Sequence, residues 1–251
     1  MASAASCLPS RPRLVWYRLR VTTQPLARPL TPGAKTSRAS FITRAYVHLF
    51  GAIVVFVAFE VALFKSGVAA RIAGAMRQVP WALILGAFLI VAWLATRMAY
   101  RVKTPAGQYA GLGLYIVAKG LIFVPLLFHA NRLASGVIEQ AAQVTILGAA
   151  GLTWVAFVSR NDFSSLRPFL YWGGVIALVL ILASLFFGLH LGTWFSVAMI
   201  ALSGASILYD TAKIRRRSFG GRQHVGAALS LFASVGMMFW YVLRITSRLR
   251  R

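Results

Sequence analysis

Apolar residues recur along this chain in runs of about 20, separated by short stretches that carry most of the charged residues. A helix of that length matches the hydrocarbon core of a bilayer, which is roughly 30 Å thick. Seven such runs follow residue 40, and each predicts one membrane-spanning helix. They are 45–64, 81–100, 109–128, 136–158, 168–189, 192–217 and 225–246.

The composition agrees with an all-α membrane protein. The chain is 59% hydrophobic and 12% charged, whereas a soluble domain has roughly 25% charged residues. A net charge of +23 would suggest a nucleic-acid partner in a soluble protein. Here the basic residues cluster at the ends of the apolar runs, where they direct membrane topology. We therefore expect the lipid bilayer as partner and no nucleic acid.

Residues 1–40 differ from the rest of the chain. They hold seven Lys/Arg, no acidic residue, several prolines and no apolar run long enough to span a bilayer. This predicts a basic, disordered tail at 1–40 followed by a transmembrane domain at 41–251. An arginine-rich, acid-free start is also typical of a mitochondrial transit peptide. An over-long gene start is the third interpretation, and the sequence leaves all three open.

The basic residues of the connections indicate the orientation. With the N-terminus inside, the inner connections hold 10 Lys/Arg and the outer ones four, which favours a cytoplasmic N-terminus. We expect a bacterial inner membrane, with the mitochondrial inner membrane as the alternative. Arg248, Arg250 and Arg251 disagree, because seven spans would place them outside, so the side of the C-terminus stays open. The connection 65–80 is predicted to be a basic loop.

Acidic residues are scarce, and one of them stands out. An ionisable side chain within a membrane helix costs a few kcal/mol, so it usually faces protein or water and has a function. Asp210 near the end of the sixth run is therefore the first candidate. The competing interpretation is an aspartate at a helix end beside its own basic flank, with Lys213 one turn on. The acidic residues are Glu60, Glu139, Asp162 and Asp210.

Three further positions join Asp210 as candidates for an ion or proton pathway. A rise of 1.5 Å per residue puts Asp210 nearest the inner boundary, Ser234 and Lys119 roughly 15 Å up, and Glu60 roughly 22 Å up. Because a lysine stem is long and flexible, Lys119 can reach either carboxylate. We predict that Lys119 points inward, and either relays a proton or forms a fixed bridge with Glu60. Asp210 is predicted to share a water-filled pocket with polar groups of the seventh helix.

Small residues predict where helices approach one another. Gly226, Ser230 and Ser234 recur every four residues along the seventh run and form a face suited to close packing. The alternative is that the serines bond to carbonyl groups of their own helix. Gly107 and Gly111 have the GxxxG spacing of a helix-packing site at the start of the third run.

Several segments resemble the transmembrane Bax inhibitor motif family, the Bax inhibitor-1 and YccA-like proteins, over roughly 41–245. The most specific are ILYDTAKI at 207–214 and AALSLFASVGMMFWYVLRI at 227–245, and FITRAYVHLFGAI at 41–53 adds weaker support. The resemblance implies a seven-helix bundle with six helices around a central C-terminal helix. It also implies an ion leak, for calcium or protons, gated by one aspartate on the sixth helix and one on the seventh.

The chain departs from that family pattern at two positions. Asp210 matches the first aspartate, but Ser234 stands where the second would fall, and Lys119 stands where many relatives carry an acidic residue. A divalent cation needs several oxygen ligands with net negative charge. We therefore expect a proton or cation leak that is sensitive to pH through Asp210, with calcium in doubt. The alternative is a non-conducting regulator that binds another membrane protein, such as the protease that YccA-like relatives engage.

The sequence favours no enzyme, metal or cofactor. Cys7 is the single cysteine, and the four histidines lie far apart. An intramembrane aspartyl protease needs two carboxylates at one site, and Glu60 and Glu139 lie near the opposite face from Asp210. We expect a non-enzyme without cofactor, and take a monomer as the working state.

Overall fold

The computed structural model describes residues 32–133, 135–159, 163–216 and 223–250. Within them the chain forms eight α-helices and one short 3-10 turn at Phe163–Ser165. Seven of these helices, all except the second, are long and apolar enough to cross a membrane, so the all-α, seven-span prediction is confirmed. The helices are α1 (Pro32–Lys65), α2 (Val68–Gln78), α3 (Trp81–Arg101), α4 (Pro105–Leu133), α5 (Val137–Val158), α6 (Leu166–Phe187), α7 (Thr193–Arg216) and α8 (His224–Leu249).

The start of α1 differs from the predicted domain boundary. The helix begins at Pro32, so the last nine residues of the predicted tail are helical and continue into the first span. Residues 1–31, where the rest of the tail was predicted, lie outside the described residues, as does Asp162.

The connection 65–80 is not the loop that its charge suggested. It forms the amphipathic helix α2, in which Ala69 and Ala73 are buried against Val124 of α4 while Arg71 and Arg77 stay exposed. Alanines four residues apart lie on one helical face, so this period was visible in the sequence but was outweighed by the basic residues.

Helix α8 lies at the centre of the bundle. It packs against α1, α3, α4, α5 and α7, and more than half of its most apolar stretch is buried. Helix α4 is buried to the same extent, because it also contacts five helices including α2. Helix α6 lies outermost and packs on α7 and α3, so it reaches α8 only through side chains such as Tyr241, which clusters with Ala177.

An aromatic cluster joins α1, α4 and α8 in the middle of the bundle. Phe123 of α4 is 1% exposed, and its ring centroid lies 5.4 Å from that of Phe56, 5.7 Å from Phe239 and 4.9 Å from Trp240. Such ring pairs add to the burial of apolar area. The cluster therefore holds α4 and α8 in a defined rotation, which orients the polar residues that neighbour it.

The predicted GxxxG site makes a helix contact through one of its two glycines. A Cβ placed on Gly111 would lie 2.8 Å from the Ala95 carbonyl oxygen and 2.8 Å from the Ala99 nitrogen, so α3 and α4 touch backbone to backbone there. The neighbours of Gly107 are Val102 and Thr104, in the turn that precedes α4. Only glycine at 111 permits the observed approach of α3 and α4.

Candidate functional site

The small-residue face of α8 packs against a tyrosine of α3. A Cβ on Gly226 would lie 2.8 Å from the Tyr100 ring, and the Tyr100 hydroxyl is hydrogen-bonded to Ser230. Ser234, one turn further, donates its hydroxyl to the Ser230 carbonyl oxygen at 3.2 Å. Gly226 and Ser230 thus form the helix contact, while Ser234 follows the alternative of bonding to its own helix.

Asp210 lines a small cavity between α1, α3, α7 and α8. The cavity measures about 20 Å³, room for roughly one water molecule. Lys213, one turn on, is the charged neighbour of Asp210. The structure therefore brings Asp210 together with Ser230 of α8 rather than with Ser234. The lining residues are Phe41, Tyr100, Asp210, Lys213, Ile214, Gln223, Ala227 and Ser230.

The residue after Asp210 ties α7 to α1. The Thr211 hydroxyl is fully buried and is hydrogen-bonded to the Tyr46 hydroxyl at 3.1 Å. Sequence reasoning missed Tyr46, Tyr100 and Thr211, because tyrosines near span ends are common interface residues. The available signal was the Asp-Thr pair itself, which places two polar side chains next to each other at the end of an apolar helix.

Lys119 is buried in the middle of the bundle and points toward α8. It is 6% exposed, and its Nζ donates to the Ala233 carbonyl oxygen at 3.3 Å. The ammonium also lies 5.7 Å from the Tyr115 ring centroid and 5.8 Å from that of Phe123. Its stem fills the space beside Gly236, where a Cβ would come within 2.7 Å of the lysine Cε. Within the described part of the chain, backbone and aromatic groups surround the Lys119 ammonium, and no carboxylate forms an ion pair with it.

Glu60 is also 6% exposed, at the interface of α1 with α4. Neither of its carboxyl oxygens has a hydrogen-bond partner in the described parts of the chain. A Cβ on Gly120 would lie 3.2 Å from Glu60 Oε1, so the carboxyl rests against that glycine. Lys119 and Gly120 are consecutive on α4 and point about 100° apart. The fixed bridge between Glu60 and Lys119 is therefore not formed.

The four predicted pathway residues occupy separate places along the bundle. Lys119 meets α8 at Ala233 and Gly236, which lie three and six residues beyond Ser230. At 1.5 Å per residue this is an axial separation of roughly 5–9 Å from the Asp210 cavity. Among the described side chains, no three His, Cys, Asp or Glu residues converge to hold a metal ion. What the arrangement offers is a series of ionisable groups along the bundle, of which Glu60 and Lys119 have no ion pair among the described residues.

Comparison with known proteins gives the chain a family and several bacterial relatives. The profile of a family described as "Inhibitor of apoptosis-promoting Bax1" matches residues 38–251. An uncharacterized protein of Pseudomonas aeruginosa is 35% identical over 112 residues, covering 43% of this chain and 49% of the relative. An uncharacterized protein of Neisseria meningitidis serogroup A is 30% identical over 138 residues, covering 53% and 60%.

A third relative is described as a membrane protein. This uncharacterized membrane protein of Vibrio cholerae is 33% identical over 112 residues, covering 43% of this chain and 48% of the relative. The chain thus spans about half the length of the curated relatives that it matches.

Proposed function

The chain belongs to the family described as inhibitor of apoptosis-promoting Bax1, and on that basis we propose that it is a leak for protons or monovalent cations, sensitive to pH through Asp210. The observation that carries the proposal is the Asp210 carboxylate lining a cavity of one-water size together with Ser230 of the central helix. A carboxylate in a membrane helix that faces protein polar groups is typical of proton and ion pathways.

The neighbours of Asp210 are suited to passing a proton. Ser230 and Tyr100 carry hydroxyl groups, which both donate and accept hydrogen bonds. One water in the cavity would bridge the carboxylate to these hydroxyls. Further along the bundle, Lys119 and Glu60 are buried ionisable groups that have no ion pair among the described residues. We propose that these two residues bind and release the proton after Asp210 along the pathway.

The same residues disfavour calcium as the transported ion. Calcium is held by six to eight oxygen ligands, several of them carboxylates. Ser234 supplies a hydroxyl that already bonds to Ser230, and Lys119 adds a positive charge to the core. A proton needs only one ionisable group to bind to at each step of its path. Proton transport is therefore more compatible than calcium transport with a core that contains few carboxylates and one buried lysine.

Proton flux into liposomes tests the proposal. Purified full-length protein is reconstituted, a pH gradient is imposed across a series of external pH values, and the internal pH is followed with a trapped dye. We expect a pH-dependent flux that Asp210→Asn lowers by roughly 100-fold or more, since a positioned proton-transfer group contributes about 10²–10⁴-fold to a rate. Glu139→Gln, the same change at an exposed carboxylate on α5, is expected to leave the flux unchanged. Equal flux from wild type and Asp210→Asn would remove Asp210 from the pathway.

A second candidate is a non-conducting regulator that binds another membrane protein. It is favoured by the separation of the polar groups, since the Asp210 cavity has room for about one water and does not include Lys119. Folded wild-type protein that gives no flux at any pH, but is captured by a membrane protease in detergent, would support it. In either case we propose that the protein is a monomer and not an enzyme, and that it lies in the bacterial inner membrane with its N-terminus in the cytoplasm.

A further inference from the structure

A large cavity lies at the end of the bundle opposite to Asp210. It measures about 770 Å³ and is bounded by α3, α4, α6, α7 and α8. It exists because α6 packs on α3 and α7 but not along α8, which leaves a gap beside the central helix. Most of the wall is apolar, with Phe88, Ile181, Leu185 and Trp240 among the lining side chains. Cavities of roughly 300–1,000 Å³ are the size that binds small molecules.

The charged residues that line this cavity are all basic. Arg244 and Arg248, one turn apart on α8, stand at its outer end, and both donate to the Leu191 carbonyl oxygen at 3.3 Å. Lys119 lies at the deep end, and no aspartate or glutamate is among the described residues that line the cavity. Neither arginine forms an ion pair within the described residues. Two guanidinium groups therefore share one neutral acceptor, and no described residue supplies a carboxylate as their counterion.

We propose that this cavity binds an anionic phospholipid of the surrounding bilayer, with its phosphate at Arg244 and Arg248 and one acyl chain in the apolar chamber. Guanidinium groups bind phosphate through paired, charge-assisted hydrogen bonds. The chamber runs from the arginines to the level of Gly236, eight residues along α8 or roughly 12 Å. A free phosphate would leave the chamber empty. A zwitterionic lipid such as phosphatidylcholine has a phosphate, but its own ammonium group balances that charge, so it supplies no net negative charge to the two arginines.

The cavity glycine provides a way to block the chamber without touching the arginines. Gly174 of α6 lines the cavity, and a Cβ placed on it meets nothing within 4 Å. Gly174→Leu is therefore expected to fold and to fill part of the chamber. Gly151 of α5 is equally open but does not line the cavity, so Gly151→Leu is its matched control.

Lipid titration of the purified full-length protein tests the proposal. In neutral detergent, phosphatidylglycerol is expected to raise the unfolding temperature and to bind at one molecule per chain in native mass spectrometry. Phosphatidylcholine, whose phosphate is balanced by its own ammonium group, is expected to bind more weakly and to raise the unfolding temperature less. The double variant Arg244→Gln/Arg248→Gln is expected to bind phosphatidylglycerol on the order of tenfold more weakly or worse, since hydrogen bonds to charged groups are lost. Arg97→Gln/Arg101→Gln, an equal change at exposed residues of α3, is expected to bind as wild type does.

Several outcomes would overturn the assignment. Equal stabilisation by phosphatidylcholine would overturn the preference for an anionic lipid, and the same shift with inorganic phosphate alone would remove the role of the chamber. Loss of binding in the Arg97/Arg101 control to the same extent would show that the charge of the bundle, and not this cavity, attracts the lipid. If the Arg244/Arg248 variant fails to fold, Gly174→Leu decides: unchanged phosphatidylglycerol affinity beside Gly151→Leu refutes the proposal.

Discussion

The two cavities differ in size and in charge although they lie along the same central helix. The cavity at Asp210 measures about 20 Å³ and is lined by one carboxylate, one lysine and two hydroxyl groups. The cavity at Arg244 measures about 770 Å³ and is apolar, with cations and no carboxylate. The first suits a single water and a proton, and the second suits a molecule with an anionic head and an apolar chain.

The difference arises from side-chain size and from one outlying helix. At the Asp210 end, Gly226 and Ser230 let α3 approach α8 until Tyr100 fills the space between them. At the other end α8 carries Trp240 and Tyr241, and α6 packs on α7 and α3 instead of α8. Small residues close one end, whereas large rings and a displaced helix open the other.

The largest expected effect comes from Gly111→Ala, which tests whether the contact of α3 with α4 keeps the Asp210 end closed. The added Cβ would lie 2.8 Å from the Ala95 carbonyl oxygen, and backbone cannot rotate aside, so α3 must shift. We expect the free energy of unfolding, measured by SDS titration in mixed micelles, to fall by about 2 kcal/mol or more. Gly113→Ala, where a Cβ meets nothing within 4 Å, is expected to be nearly neutral. Similar losses in both variants would contradict the close contact.

Replacement of Lys119, which lines the larger cavity, is expected to raise the free energy of unfolding rather than lower it. Lys119→Met keeps the length of the side chain and removes a buried charge that has no ion pair in the described bundle. We expect the free energy of unfolding to rise by about 1 kcal/mol, because burial of an unpaired charge is costly. Lys65→Met, at an exposed helix end, should change it little. A clear loss at 119 would mean that the bond to Ala233 and the ring contacts outweigh the cost of burial.

The smallest expected change in the free energy of unfolding distinguishes the contact of Ser230 on α8 from that of Ser234. Ser230→Ala removes the hydrogen bond to Tyr100 across the helix interface and is expected to cost about 0.6 kcal/mol, the average for such bonds in membrane proteins. Ser234→Ala removes a bond to its own helix, so its expected cost is close to zero. The comparison uses the same micelle titration, with Tyr100→Phe as the partner change that should match Ser230→Ala. Equal costs at 230 and 234 would place both serines in the same kind of contact.

Sequence alone was enough for the spans and for the residues worth testing. The lengths of the apolar runs predicted seven spanning helices, because a bilayer requires nearly the same length of each. Scarcity of charge in the core singled out Asp210, Lys119 and Glu60, since each ionisable group there is costly. Helix α2 was not predicted from the sequence, because an 11-residue amphipathic segment is too short and too basic to be recognised as a membrane span.

Tertiary structure alone decided which groups meet. The helical periodicity of the sequence and the estimated depth in the membrane put Lys119 within reach of two carboxylates. In the structure, the rotation of α4 about its own axis turns Lys119 toward Ala233 and Gly120 toward Glu60. Likewise Ser230, and not Ser234, lines the Asp210 cavity, and the apolar chamber beneath Arg244 exists only because α6 stands away from α8. Sequence period determines which residues share a helical face, whereas the neighbour of that face depends on how all the helices pack against one another.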